Sequence, residues 1–130
     1  MHFQKNEHYG LLLMGELACI RGTQPRSLIA ISRRHGVSLF FLKKIVRSLK
    51  ASGLVESKEG IGGGYILARK PETISMWEII SAFQTNSDES NSSRITCPVN
   101  TSCLPQHIRA RLSVSMKERL EEISLKEVTQ

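Results

Sequence analysis

Four glycines within five positions, Gly60 and Gly62 to Gly64, lie between the runs Leu54-Val55-Glu56-Ser57 and Tyr65-Ile66-Leu67-Ala68. Glycine enters positive φ without a Cβ clash, so a segment this rich in it is built to turn. The flanking runs read as two strands and the segment from Lys58 to Gly64 as the loop of a hairpin. Glycine-rich loops also cradle nucleotide phosphates, but that use needs a strand, then the loop, then a helix opening with Gly-Lys-Ser or Gly-Lys-Thr. Here a strand follows the loop, and the nucleotide-binding reading fails on context.

What precedes the hairpin narrows the fold further. Tyr9, Leu12, Leu13, Leu17 and Ile20 recur at helical spacing, with Leu11, Met14 and Ala18 widening the stripe, and predict a helix from about Glu7 to Arg21 that is buried on two sides. Cys19, within that stripe, is read as a buried core residue. Ser27 caps a short second helix carrying Leu28, Ile29 and Ile31 and ending at Gly36. Ser38 caps a third, with Leu42, Ile45, Val46 and Leu49 on its inner face and Gly53 as its stop. Two short helices meeting at a glycine turn make a helix-turn-helix, and the hairpin behind them is the candidate wing.

Beyond the wing, Ser75 and Glu78 form a capping box for a helix through Trp77, Ile79, Ile80 and Phe83. Residues 84–96 are polar and rich in serine and asparagine, and read as a loop. From Pro105 a long helix is expected to about Ile123, with Ile108, Leu112, Met116, Leu120 and Ile123 along one stripe. Such a stripe is most economically covered by a second copy of the chain, together with Leu12 of the first helix; packing back on its own domain is the alternative. The expected class is mainly α: a winged helix-turn-helix over residues 1–84, a cysteine-containing loop at 85–103, and a dimerisation helix and tail at 104–130.

Charge points to the partner. Lysine and arginine number 18 against 12 acidic residues among 130, a formal charge of +6 that favours a polyanion. The outer face of the third helix carries Phe40, Lys43, Lys44, Arg47 and Lys50, as a helix entering the major groove of duplex DNA requires. Lys43 and Arg47, four residues apart, suit base edges or phosphates; Lys44 and Lys50 suit phosphates; Ser38 and the helix N-terminus favour an approaching phosphate. In the wing, Lys58, Gly60, Gly62, Gly63 and Tyr65 are the candidates for contact with the sugar-phosphate strand. Each feature has an ordinary explanation by itself, since basic helix faces are often only solvated, but their order makes joint sense on DNA. No nucleophile, base and acid can be placed together, so an enzyme is not expected. The longest early apolar run, Leu11 to Met14, is far short of the roughly 20 residues that cross a bilayer, and a cytoplasmic chain without a membrane partner is expected.

The stretches His8-Tyr9-Gly10-Leu11, Ile29-Ala30-Ile31-Ser32, Gly36-Val37-Ser38, Phe41-Leu42, Leu49 to Val55, Gly60 to Ala68, Ile74 and Ile79 to Ala82 together resemble the Rrf-two family of winged helix-turn-helix transcription regulators. The resemblance spans nearly the whole chain. It implies a homodimer whose long C-terminal helices cross and whose recognition helices read the half-sites of a palindromic operator; repression is the expected mode of regulation. Many relatives place an arginine before the first wing glycine, where it reaches the minor groove; Glu59 stands here, and a carboxylate repels phosphate.

Cys97 and Cys103 fall where cluster-binding relatives hold an iron-sulfur centre. Those relatives usually carry three cysteines with five residues between neighbours, and the matching outer positions here are Asn91 and Arg109. Two thiolates leave a 2Fe-2S cluster short of ligands unless other donors complete it. The resemblance nominates His107, Glu7 and His8 for that role, the last two from the partner subunit. Two other readings stay open: ordinary loop thiols, and a regulator without a cluster that answers to thiol oxidation or to a protein partner. An odd count of three cysteines without an export signal argues against a structural disulfide framework.

Overall fold

The computed structural model describes residues 5–19, 24–84 and 104–129. Their elements are α1 (Lys5–Ala18), α2 (Leu28–His35), α3 (Leu39–Ala51), β1 (Val55–Lys58), β2 (Gly64–Leu67), a 3-10 turn at Pro71–Thr73, α4 (Met76–Gln84), α5 (Leu104–Glu122) and α6 (Leu125–Thr129). The fold is mainly α with one two-stranded antiparallel sheet, the winged helix-turn-helix that the residue order demands.

α1 presents Leu13, Met14 and Leu17 to the core, and ends at a turn formed by Cys19. Cys19 is exposed, which corrects its expected burial. Two residues beyond Leu17 is about 200° around a helix, so the position faces away from the side that Leu17 buries. Gly10 leaves room for α4: a Cβ there would stand 2.2 Å from Cε2 of Phe83, a ring that is itself buried.

The helix-turn-helix forms as its caps prescribe, with one exception. The Ser27 hydroxyl accepts from the Ile29 N–H at 3.2 Å, and α2 ends on Gly36 at φ 64°. Ser38 occupies the N-cap of α3, but its side chain makes no capping bond; only its carbonyl takes part, accepting from the Leu42 N–H at 3.0 Å. The expected side-chain cap is therefore absent. Leu42, Ile45, Val46 and Leu49 are buried, as their spacing requires.

The hairpin pairs Val55 with Leu67, Glu56 with Ile66, Ser57 with Tyr65 and Lys58 with Gly64. Its strands are shifted one residue toward the loop relative to the expected 54–57 and 65–68, because the ladder continues to Lys58 and Gly64 before the Gly63 N–H closes on the Gly60 carbonyl at 3.0 Å. A third strand position, absent from the sequence reading, joins β2 on its other edge. The Arg26 N–H donates to Tyr65 O at 2.9 Å, and the Tyr65 N–H donates to Arg26 O at 2.8 Å.

The box at the start of α4 is complete: the Ser75 N–H donates to Glu78 Oε2 at 2.9 Å and the Glu78 N–H to Ser75 Oγ at 3.2 Å. α5 follows nearly the expected span, and then the chain turns back. Ser124 opens α6, the Leu125 N–H donates to Ile74 O at 2.8 Å, the Met76 N–H donates to Ile123 O at 2.9 Å, and Leu125 is buried in the common core with Leu13, Leu42 and Ile79. The C-terminal end thus has an intrachain partner, which the sequence stripe did not reveal.

Candidate nucleic-acid interface

α3 divides sharply into two sides. With its four apolar residues turned into the core, Phe40, Lys43, Lys44, Arg47 and Lys50 are all exposed. Phe40 keeps 83 % of its surface in solvent, whereas the neighbouring Phe41 is half-buried, edge-on to Tyr9 at 5.2 Å and beneath the Lys5 ammonium at 5.1 Å. Adjacent aromatics of one helix are therefore split between core and solvent.

Three acidic side chains of the surrounding elements are engaged with cations outside α3. Glu16 holds His35 at 2.8 Å and Arg34 at 3.6 Å, tying α1 to the end of α2. Glu78 holds Arg69 at 2.6 Å, and Glu72 holds Lys126 at 3.0 Å. Burial pushes the Glu78 carboxyl up, but the Ser75 N–H and the Arg69 guanidinium outweigh it and hold the group below its ordinary range. Glu72 is also lowered, by a backbone hydrogen bond first and by Lys126 second. Among the described residues, Lys43, Lys44 and Arg47 enter no ion pair; Lys50 donates to the Ser57 hydroxyl of β1 at 2.9 Å, linking the helix to the wing.

In the wing, Lys58, Glu59, Gly60, Ile61 and Gly62 are exposed, and Gly60 and Gly62 adopt φ of 106° and 75° with open space around them. Gly63 and Gly64 serve another purpose. A Cβ on Gly64 would lie 2.3 Å from Arg26 O, and one on Gly63 would lie 2.4 Å from Lys58 O, so these two positions admit protein backbone. Tyr65 is half-buried against the core and its backbone is spent on Arg26. The candidates with free surface at the loop are thus Lys58, Gly60 and Gly62, while Gly63 and Tyr65 shape it.

The family model described as Rrf2, iron-dependent transcriptional regulator, matches residues 3–130. The chain belongs to the Rrf2 family. As an Rrf2 protein it is a transcriptional regulator and not an enzyme. The Rrf2 chain is 33 % identical over 129 residues to the HTH-type transcriptional regulator IscR of Aliivibrio salmonicida, covering 98 % of this chain and 77 % of that one. Among solved structures, the IscR of T. potens superposes with a TM-score of 0.80 at 30 % identity, covering 98 % of this chain and 85 % of that one. The oxidized form of Staphylococcus aureus CymR gives 0.79 at 28 %, covering 100 % and 97 %.

The other nominated positions fall as follows. On α5 of this Rrf2 chain, Ile108, Leu112 and Met116 are exposed at 49, 58 and 38 %, and Val114 at 57 % joins them from another side of the helix. Leu120 is half-buried against its own core, and Leu12 packs likewise from α1. Of the nominated cluster ligands, Cys97 and Cys103 lie outside the described residues, and His107 is on α5. Glu7 is buried at 7 %, whereas His8 is exposed and edge-on to Tyr9 at 5.3 Å. Consecutive residues of a helix point about 100° apart, and these two do not converge. Among the described residues no three His, Cys, Asp or Glu side chains come together to hold a metal. Sequence reasoning missed Arg26 and α6. The Pro25-Arg26 extension before a capped helix carries no strand signal, and the five residues of α6 are too few to show a helical period.

Proposed function

We propose that the chain is a homodimeric repressor that binds duplex DNA with α3 in the major groove and the β1–β2 wing on the adjacent strand. The observation that carries this reading is the α3 face itself: a row of exposed cations, with Lys43, Lys44 and Arg47 free of ion pairs among the described residues, on the outer helix of a helix-turn-helix. Phosphate neutralisation by such a row drives binding through counterion release and does not depend on sequence, while residues at the start of the helix reach base edges. Glu16 reaches both His35 and Arg34 and so links α1 to the end of α2, the helix before α3.

Dimerisation through the exposed apolar positions of α5, namely Ile108, Leu112 and Met116, supplies the second half-site, with the division into a 1–84 DNA-binding domain, an 85–103 loop and a 104–130 dimerisation segment. The regulator is proposed to act in the cytoplasm; among the described residues no helix is long and apolar enough to cross a membrane. The signal is proposed to be redox or iron-sulfur status read at Cys97 and Cys103, a reading supported by the likeness to IscR and to an oxidized form of CymR. Anaerobic reconstitution with visible absorption and iron and sulfide assays separates a cluster from thiol oxidation: a colourless, iron-free protein ends the cluster reading. DNA binding is tested by anisotropy on genomic fragments over a salt series. A log-log slope of several phosphates' worth supports it, and indifference to every fragment at low salt ends it.

A further inference from the structure

We infer that Phe40 is a specificity residue that reads the C5-methyl group of a thymine in each operator half-site. The inference rests on the DNA-binding reading above and deepens it. Phe40 stands in the first turn of α3 and is 83 % exposed, although Phe41 beside it finds a place against Tyr9 and the rest of the core. Its position is one turn before Lys43 and Lys44 and two before Arg47, residues at i+3, i+4 and i+7 that share its face. A ring at the N-terminal end of that cationic row meets whatever polyanion the row meets.

The chemistry of the ring then selects its target. A phenyl group offers no hydrogen bond to a phosphate or to a base heteroatom, so its favourable contact in a major groove must be apolar. The thymine methyl is the apolar group displayed there, and the N-terminal residues of a recognition helix are the ones that reach base edges. The contact takes a solvent-exposed ring and a solvent-exposed methyl out of water together. Removing one methyl from such a contact is worth about fourfold in Kd per half-site.

The test is a chemical double-mutant cycle. Duplexes are selected from a randomised library by the unmodified chain, and each selected thymine is replaced in turn by deoxyuridine, which lacks only the methyl. The chain is expected to lose about fourfold affinity at one thymine per half-site, while Phe40→Ala, weaker overall, binds the thymine and deoxyuridine duplexes equally and keeps the original salt slope. Phe40→Leu, apolar but not aromatic, retains the discrimination. If no thymine shows the methyl effect, or if Phe40→Ala shows it undiminished, the ring does not read that methyl and the inference falls while the DNA-binding reading stands. In particular, a Phe40→Ala protein that binds DNA as well as the parent assigns the exposed ring to a protein surface instead. Failure of the chain to select any duplex ends both. An exposed phenylalanine on a helix is replaced by alanine without loss of fold, and the melting temperature of Phe40→Ala verifies this.

Discussion

Replacing Gly64 with alanine tests whether the wing is held from behind by the Arg26 strand. The new Cβ would stand 2.3 Å from Arg26 O, 2.5 Å from Arg26 C and 3.0 Å from Ser27 N, all backbone atoms that cannot rotate aside. Relief requires the Arg26 segment to move off β2, which breaks or lengthens the paired bonds of 2.9 and 2.8 Å between Arg26 and Tyr65 and displaces the Ser27 cap of α2. Two backbone hydrogen bonds at about 1 kcal/mol each, together with residual overpacking of about 1 kcal/mol, give a loss of roughly 3 kcal/mol. With an unfolding entropy of about 2 cal/mol/K per residue, that lowers Tm by on the order of 10 °C. Gly62→Ala is the control: nothing lies within 4 Å of its Cβ, and only the φ of 75° opposes it, at a cost of about 1 kcal/mol. Calorimetry compares the two, and amide exchange at Arg26 and Tyr65 localises the damage. A Gly64→Ala protein that melts with the parent and keeps both amides protected would refute the reasoning.

Lys43→Ala or Arg47→Ala is expected to weaken operator binding by about 1 to 3 kcal/mol where the contact is to a base, with relaxed preference at that position in anisotropy titrations; parent affinity in both variants contradicts the groove assignment. Leu112→Asp places a charge on the exposed face of α5 and should yield a monomer in sedimentation, whereas an intact dimer locates the interface elsewhere. Leu125→Ala empties a position with 2 % exposure and should cost about 2 to 5 kcal/mol in denaturant unfolding, against almost nothing if α6 only lies on the surface. Glu78 is held below its ordinary value of 4.5, so its contribution to stability is fully present above that pH and is lost as pH falls through the lowered value. Glu78→Gln should therefore melt modestly below the parent at pH 7, with the gap closing in acid; a gap constant from pH 7 to pH 3 rules out this linkage.

The amino-acid sequence alone determined the elements whose signals are local. Capping side chains set the starts of α2 and α4, glycines marked the ends of α2 and α3, periodicity sorted Leu42, Ile45, Val46 and Leu49 from Lys43, Lys44 and Arg47, and the glycine cluster forced the hairpin. These follow from backbone sterics and from the hydrophobic repeat, which act over one or two turns of chain. Tertiary structure decided what depends on distant neighbours. Only packing shows that Gly64 is small for the sake of Arg26, that Cys19 lies outside the core its helix helps to form, and that Leu125 returns to complete that core. It also supplied the partners of Phe41, because α1 offers it Tyr9 and Lys5, while Phe40 keeps the outer face that the helical period assigned. A helical period tells which face of an element is apolar, but which distant element covers it is a property of the assembled surface.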